Sequence, residues 1–77
     1  MSQWHPCKRR LFIERLRSLG FEGTYTGTRH QFMVYKNHRL HIPSNPEYSI
    51  PQLKMMIYEV ESIIDRNITS DEWNNLK

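Results

Sequence analysis

With 77 residues, 3 glycines, 4 prolines, 38% hydrophobic content and a net charge of +3, the chain has the composition of one small globular domain. A core of that size excludes a large enclosed pocket, so a site is expected to be a shallow surface suited to a polymer or a protein. The single cysteine, Cys7, excludes an internal disulfide, no stretch reaches the roughly 20 apolar residues of a membrane span, and the cationic start lacks the apolar run of a secretory signal, which points to the cytoplasm.

The first element is a helix over Lys8 to Leu19, where Phe12, Ile13, Leu16 and Leu19 recur at helical spacing and Gly20 supplies a left-handed cap. Its first turn carries Lys8, Arg9 and Arg10, although that end of a helix favours acids, so an anion there would relieve the repulsion. Residues 1–7 read as a flexible lead-in. Phe21 to Tyr25 is a short strand, and the following TGT is a turn signal. His30 to Tyr35 and Arg39 to Ile42 are expected to form a hairpin through Lys36, Asn37 and His38. A three-residue loop sets Val34 against Leu40 and Phe32 against Ile42, which sends those four inward and Met33, Tyr35, Arg39 and His41 outward. His30 then shares parity with Phe32 at the strand entrance.

Pro43 to Tyr48 reads as a loop. Ser49 and Gln52 make a capping box with Pro51 in the first turn of a helix. Leu53, Met56, Ile57, Val60, Ile63 and Ile64 form its buried stripe, with Met55 and Met56 in the core or at its edge. Thr69 and Glu72 make a second capping box, with Ile68 and Trp73 as a staple, for a closing helix over about Ser70 to Leu76. The predicted α+β architecture is α-β-β-β-α plus a short C-terminal helix in one domain, residues 1–77. Its three-stranded antiparallel sheet carries the helices on one face, and the layout resembles the double-stranded-RNA-binding-domain-like fold.

Charge is segregated. Residues 1–42 hold Lys8, Arg9, Arg10, Arg15, Arg17, Arg29, Lys36 and Arg39 against Glu14 and Glu22, whereas acids outnumber bases from Pro43 onward. One surface should therefore be electropositive, suited to phosphates or an acidic partner. There is no glycine-rich phosphate loop and no metal-ligand framework. A zinc site from His38 and His41 is disfavoured because a spacing of three on a strand sends side chains to opposite faces. His5, His30, His38 and His41 are the side chains that titrate near neutrality unaided. Alone, His30 is an ordinary polar turn residue. Beside Arg29 it gains the pairing that metal-free RNA cleavage needs, a cation for phosphate and a proton carrier.

From Lys8 to Ile64 the chain resembles the HicA toxins, mRNA interferases of bacterial type II toxin-antitoxin modules. The resemblance rests on a basic first helix ending in LGFEG, a glycine-hydroxyl-x-histidine motif at Gly27, Thr28, Arg29 and His30, a basic third strand closing on IPSN, and a helix opened by IPQL. It implies a metal-independent endoribonuclease with His30 catalytic, Gly27 and Thr28 supporting it, mRNA as substrate and a HicB-type antitoxin covering the active surface. Thr28 stands where serine is usual, and Asn45 where many members have histidine. Lys8, Arg9, Arg10, Arg29, Arg39 and Lys54 are the expected RNA-binding residues. No metal, cofactor or membrane is implied, and residues 67–77 extend past the usual domain, leaving room for packing or a homodimer contact. The alternatives are a non-catalytic RNA-binding domain and a protein-interaction module with a basic face.

Overall fold

The computed structural model describes residues 3–76. The elements are β1 (Cys7–Lys8), α1 (Arg9–Leu19), β2 (Glu22–Thr26), β3 (Gln31–Tyr35), β4 (His38–Ile42), β5 (Glu47–Tyr48), α2 (Ile50–Ile64) and α3 (Ser70–Asn75). They form a small α+β fold with a three-stranded antiparallel sheet, β2-β3-β4, and a separate two-stranded ribbon, β1-β5.

Helix α1 buries Phe12, Ile13 and Leu16, and Gly20 ends it at φ 109°, its N–H reaching the Leu16 and Arg17 carbonyls. Glycine is favoured there on two counts. The left-handed backbone disfavours a side chain, and a Cβ would lie 3.2 Å from the Tyr35 ring. Phe21 follows directly and is buried.

The β3–β4 hairpin departs from the predicted register. Its loop is Lys36 and Asn37 alone, with Lys36 at φ 54°, and the opposed residues are Phe32 with His41, Met33 with Leu40, and Val34 with Arg39. Met33, Leu40 and Ile42 are the buried residues of these strands. Phe32 and Val34, expected inward, lie on the outer face, and Met33, expected outward, is in the core. The shorter loop allows a five-pair ladder from Tyr35–His38 to Gln31–Ile42. Phe32 tolerates the outer face because Tyr25 and Arg39 pack on its ring.

The segment expected as a loop before α2 contains a strand. Tyr48 lies opposite Cys7 and Lys8 opposite Glu47. Tyr48 is fully buried, its ring edge-on to Phe12 at 5.4 Å, and its O–H donates to the Pro43 carbonyl at 2.7 Å. Of the lead-in expected to be flexible, residues 1 and 2 lie outside the described residues and the rest is engaged: Cys7 is buried, Trp4 packs against the core, and the Gln3 carbonyl accepts from Asn74 Nδ2 at 3.0 Å.

Ser49 caps α2 by accepting the Gln52 N–H at 3.3 Å. The Gln52 side chain does not close the box; it donates to Asn45 Oδ1 at 3.3 Å, tying the preceding loop to the helix. Leu53, Met56, Ile57 and Val60 are buried, with Ile63 and Ile64 half-buried, as the stripe predicts. Met55 is not at the core: it is 72% exposed, on the opposite side of α2. Thr69 caps α3 through the Glu72 N–H at 3.1 Å, Ile68 and Trp73 are buried, and Arg66 pairs with Glu72 at 2.7 Å. Trp73 joins the main core, 5.3 Å from Phe12, with the Arg15 guanidinium 5.3 Å from its ring centre. Helix residues thus fill the Met33 face of the sheet and leave the Phe32 face open. Among the described residues no helix is long and apolar enough to cross a membrane.

Candidate functional site

The open face is organised by the loop between β2 and β3. Thr26 and Gln31 are the last opposed pair, and Gly27 to His30 bridge them. The Gly27 N–H donates to the His30 carbonyl at 2.9 Å. A Cβ on Gly27 would sit 2.7 Å from that same oxygen, so only glycine fits without displacing the histidine's backbone. The glycine of the predicted motif therefore sets the position of its histidine.

Next to this loop the register builds a row across the sheet, because Phe32 lies opposite Tyr25 on one side and His41 on the other. The Tyr25 and Phe32 rings are 5.7 Å apart, the Arg39 guanidinium lies 4.6 Å from the Phe32 ring centre, and His30 and His41 are 5.9 Å apart. A cleft of about 310 Å³ is lined by Gly27, Thr28, Arg29 and His30 from the loop and by Phe32, Arg39 and His41 from the strands. Two further depressions also border His30, one shared with Arg9, Arg29 and Ser44 and the other with His41 and Pro43. No carboxylate lines any of the three, so the surroundings of His30 are cationic and suited to an anion.

Of the residues expected to act together, Gly27, Thr28, Arg29, His30 and Arg39 converge on this cleft. Arg29, His30, Arg39 and His41 are exposed. The separation expected between His30 on one side and Arg39 and His41 on the other does not hold: the two-residue turn moves Phe32, and with it His30, to their face. Arg9 borders the site but is already committed, its guanidinium donating to the Gln31 side chain and, at 3.2 Å, to the Pro43 carbonyl. Its backbone N–H donates to the Pro46 carbonyl at 3.0 Å, so one amide of the uncapped helix start is satisfied within the chain. Lys8 and Arg10 are exposed near the same end of α1, and Lys54 is exposed on α2, but none of the three lines a depression around His30.

His41 is the residue that sequence reasoning left outside the site, and the signal for it was the hairpin length. His38 lies opposite Tyr35 beside the turn, away from the cleft. Two further titratable groups belong to the core. Burial pushes the Cys7 thiol up, against the opposing pull of Arg15, and pushes the Tyr48 phenol up against Arg9. Neither is poised as a nucleophile. Among the described residues no three His, Cys, Asp or Glu side chains gather as a metal site. Protein-family models, curated proteins and solved structures return no match to the chain.

Proposed function

We propose that the protein is a HicA-like toxin, a metal-independent endoribonuclease that cleaves mRNA at the His30 cleft. The observation that carries this reading is the pairing of His30 with His41, 5.9 Å apart, in a depression furnished with Arg29 and Arg39 and without carboxylates. The succession of α1, the β2-β3-β4 sheet and α2, with β1, β5 and α3 added to it, is compatible with the double-stranded-RNA-binding-domain-like fold that the resemblance implies.

The chemistry follows from proton balance. One imidazole takes the proton of a ribose 2′-hydroxyl as its oxygen attacks the adjacent phosphorus. The other gives a proton to the departing 5′-oxygen, so that a 2′,3′-cyclic phosphate and a 5′-hydroxyl result. Hydrogen-bond reach of about 2.6–3.2 Å from each ring allows one phosphodiester to be served from both sides. Arg29 and Arg39 offset the charge that accumulates on the phosphoryl oxygens. His41 supplies a second proton carrier although Asn45, the position where many HicA members have histidine, is engaged with Gln52. A HicB-type antitoxin would act by covering this face, and the cytoplasm is where substrate and antitoxin would be met.

Incubation of purified protein with RNA in the presence of a chelator tests the reading. Cleavage that persists, and that falls about 10²- to 10⁴-fold in His30→Ala while RNA binding remains, is the expected outcome. Binding without cleavage in the wild type would instead make this a non-catalytic RNA-binding domain.

A further inference from the structure

We propose that the outer sheet face carries a nucleobase-stacking subsite formed by Tyr25 and Phe32, adjoining the phosphate position, so that the ligand is RNA with an unpaired base at that point. This rests on the reading of the His30 cleft as an RNA site. It adds a substrate-binding element that neither the charge nor the histidines supply.

Three observations carry it. Tyr25 is 44% exposed on the outer face, so its ring is accessible to a ligand, and its O–H is held by Glu22 at 3.3 Å. Its ring lies 5.7 Å from Phe32 at an interplanar angle of 39°, so the two form one aromatic platform rather than isolated surface residues. Phe32 also lines the cleft that contains His30 and His41, which makes the platform continuous with the proposed point of cleavage. The Arg39 guanidinium, 4.6 Å from the Phe32 ring centre, adds a planar cation to the platform.

The geometry selects the ligand. Adjacent strands are about 4.8 Å apart, so Tyr25, Phe32 and His41, opposed across three strands, step along the sheet at a spacing that an extended nucleotide can follow. A base lying on Tyr25 and Phe32 leaves its neighbouring phosphate over His30 and His41. A paired base has its faces covered by its neighbours in the helix and cannot occupy the platform; single-stranded RNA offers that face freely. The carboxylates of an acidic protein segment would engage the arginines but gain nothing from the ring faces.

The test uses the full chain carrying His30→Ala, so that substrate survives, and short RNA oligonucleotides with either a normal or an abasic residue at one site. Tyr25→Leu in this background should weaken binding of the normal single strand by roughly 5- to 100-fold. It should matter much less for the abasic strand, because both changes remove the same contact. Phe32→Leu, which keeps an apolar side chain, should act in the same direction, and a fully paired duplex should bind more weakly than the single strand. Circular dichroism melts check that the variants fold. Equal affinity of Tyr25→Leu and its parent, or preference for duplex, overturns the subsite even if the wild type cleaves RNA and His30→Ala does not. Tyr25-dependent binding without wild-type cleavage would retain the subsite and overturn the nuclease reading, and absence of RNA binding overturns both.

Discussion

Gly27→Ala isolates the placement of His30 from its chemistry. The added Cβ would meet the His30 carbonyl at 2.7 Å, where ordinary contact begins at 3.4 Å, so loop and histidine must part by up to about 0.7 Å. The obstacle is backbone, held by the Gly27 N–H bond, and cannot rotate aside as a side chain would. A displacement approaching 1 Å in a catalytic group can cost about 10²-fold in rate. The substitution should therefore lower kcat for RNA cleavage by about 10- to 100-fold. Affinity should change little, because Arg29 and Arg39 remain exposed and charged. The assay is single-turnover cleavage of a labelled RNA alongside equilibrium binding and a thermal melt. Loss of about 1 kcal/mol from the strained turn would lower Tm by about 4–8 °C, which leaves the protein folded at the assay temperature of a stable domain. Cleavage by Gly27→Ala at the wild-type rate, with the substitution verified, would refute the argument that this glycine sets the histidine's position.

The remaining predictions address chemistry, charge and packing. His41→Ala should reduce cleavage by about 10²- to 10⁴-fold and remove one limb of the pH–rate profile; an unchanged two-limbed profile would assign the second proton transfer elsewhere. With Lys8, Arg10, Arg29 and Arg39 exposed, RNA affinity should fall with salt on a log–log slope of about −3, at roughly −0.7 per phosphate neutralised on a single strand, and a flat dependence would exclude a phosphate grip. Trp73→Ala removes a fully buried ring from the core and should cost about 3–5 kcal/mol, lowering Tm by at least about 12 °C in a melt. A small shift would make α3 an appendage. The hydrogen bond from Arg66 holds the Glu72 carboxyl below its ordinary value of 4.5. Because the folded-state value is depressed, the contribution is complete above the ordinary value and is lost as pH falls through the depressed one. The modest Tm difference between wild type and Glu72→Gln should thus be present at neutral pH and vanish in acid.

Helices α1 and α2 were legible in the sequence because each combines a one-sided apolar stripe with a local terminator or cap: Gly20 after Leu19, Ser49 before Ile50. Such signals are contained within a few residues. The β1–β5 ribbon was not legible, since Cys7 and Lys8 find Tyr48 and Glu47 some forty positions away and two-residue strands have no periodicity to detect. Met55 was misplaced for a related reason. It is adjacent to Met56, and only the phase of the whole helix decides that Met56 turns inward and Met55 outward.

The hairpin is where a small ambiguity changed the site. In β4 the alternation is clean, and Leu40 and Ile42 go inward under either loop length. In β3 both faces are apolar, Phe32 and Val34 on one and Met33 and Tyr35 on the other, so the pattern has no preferred side. Pairing apolar residues with one another favoured the longer loop. That criterion assumes that an aromatic residue belongs in the core, and here it fails because Tyr25 and Arg39 provide Phe32 with partners on the outer face. A shift of one residue in pairing exchanges the faces of an entire strand. The same shift that takes Phe32 out of the core brings His30 onto the face of Arg39 and His41. An exposed aromatic residue beside a histidine therefore has a cause in this fold: the energetic cost of leaving Phe32 half outside is offset by its neighbours, and the arrangement that results is the one in which two imidazoles and two guanidinium groups can meet a phosphate.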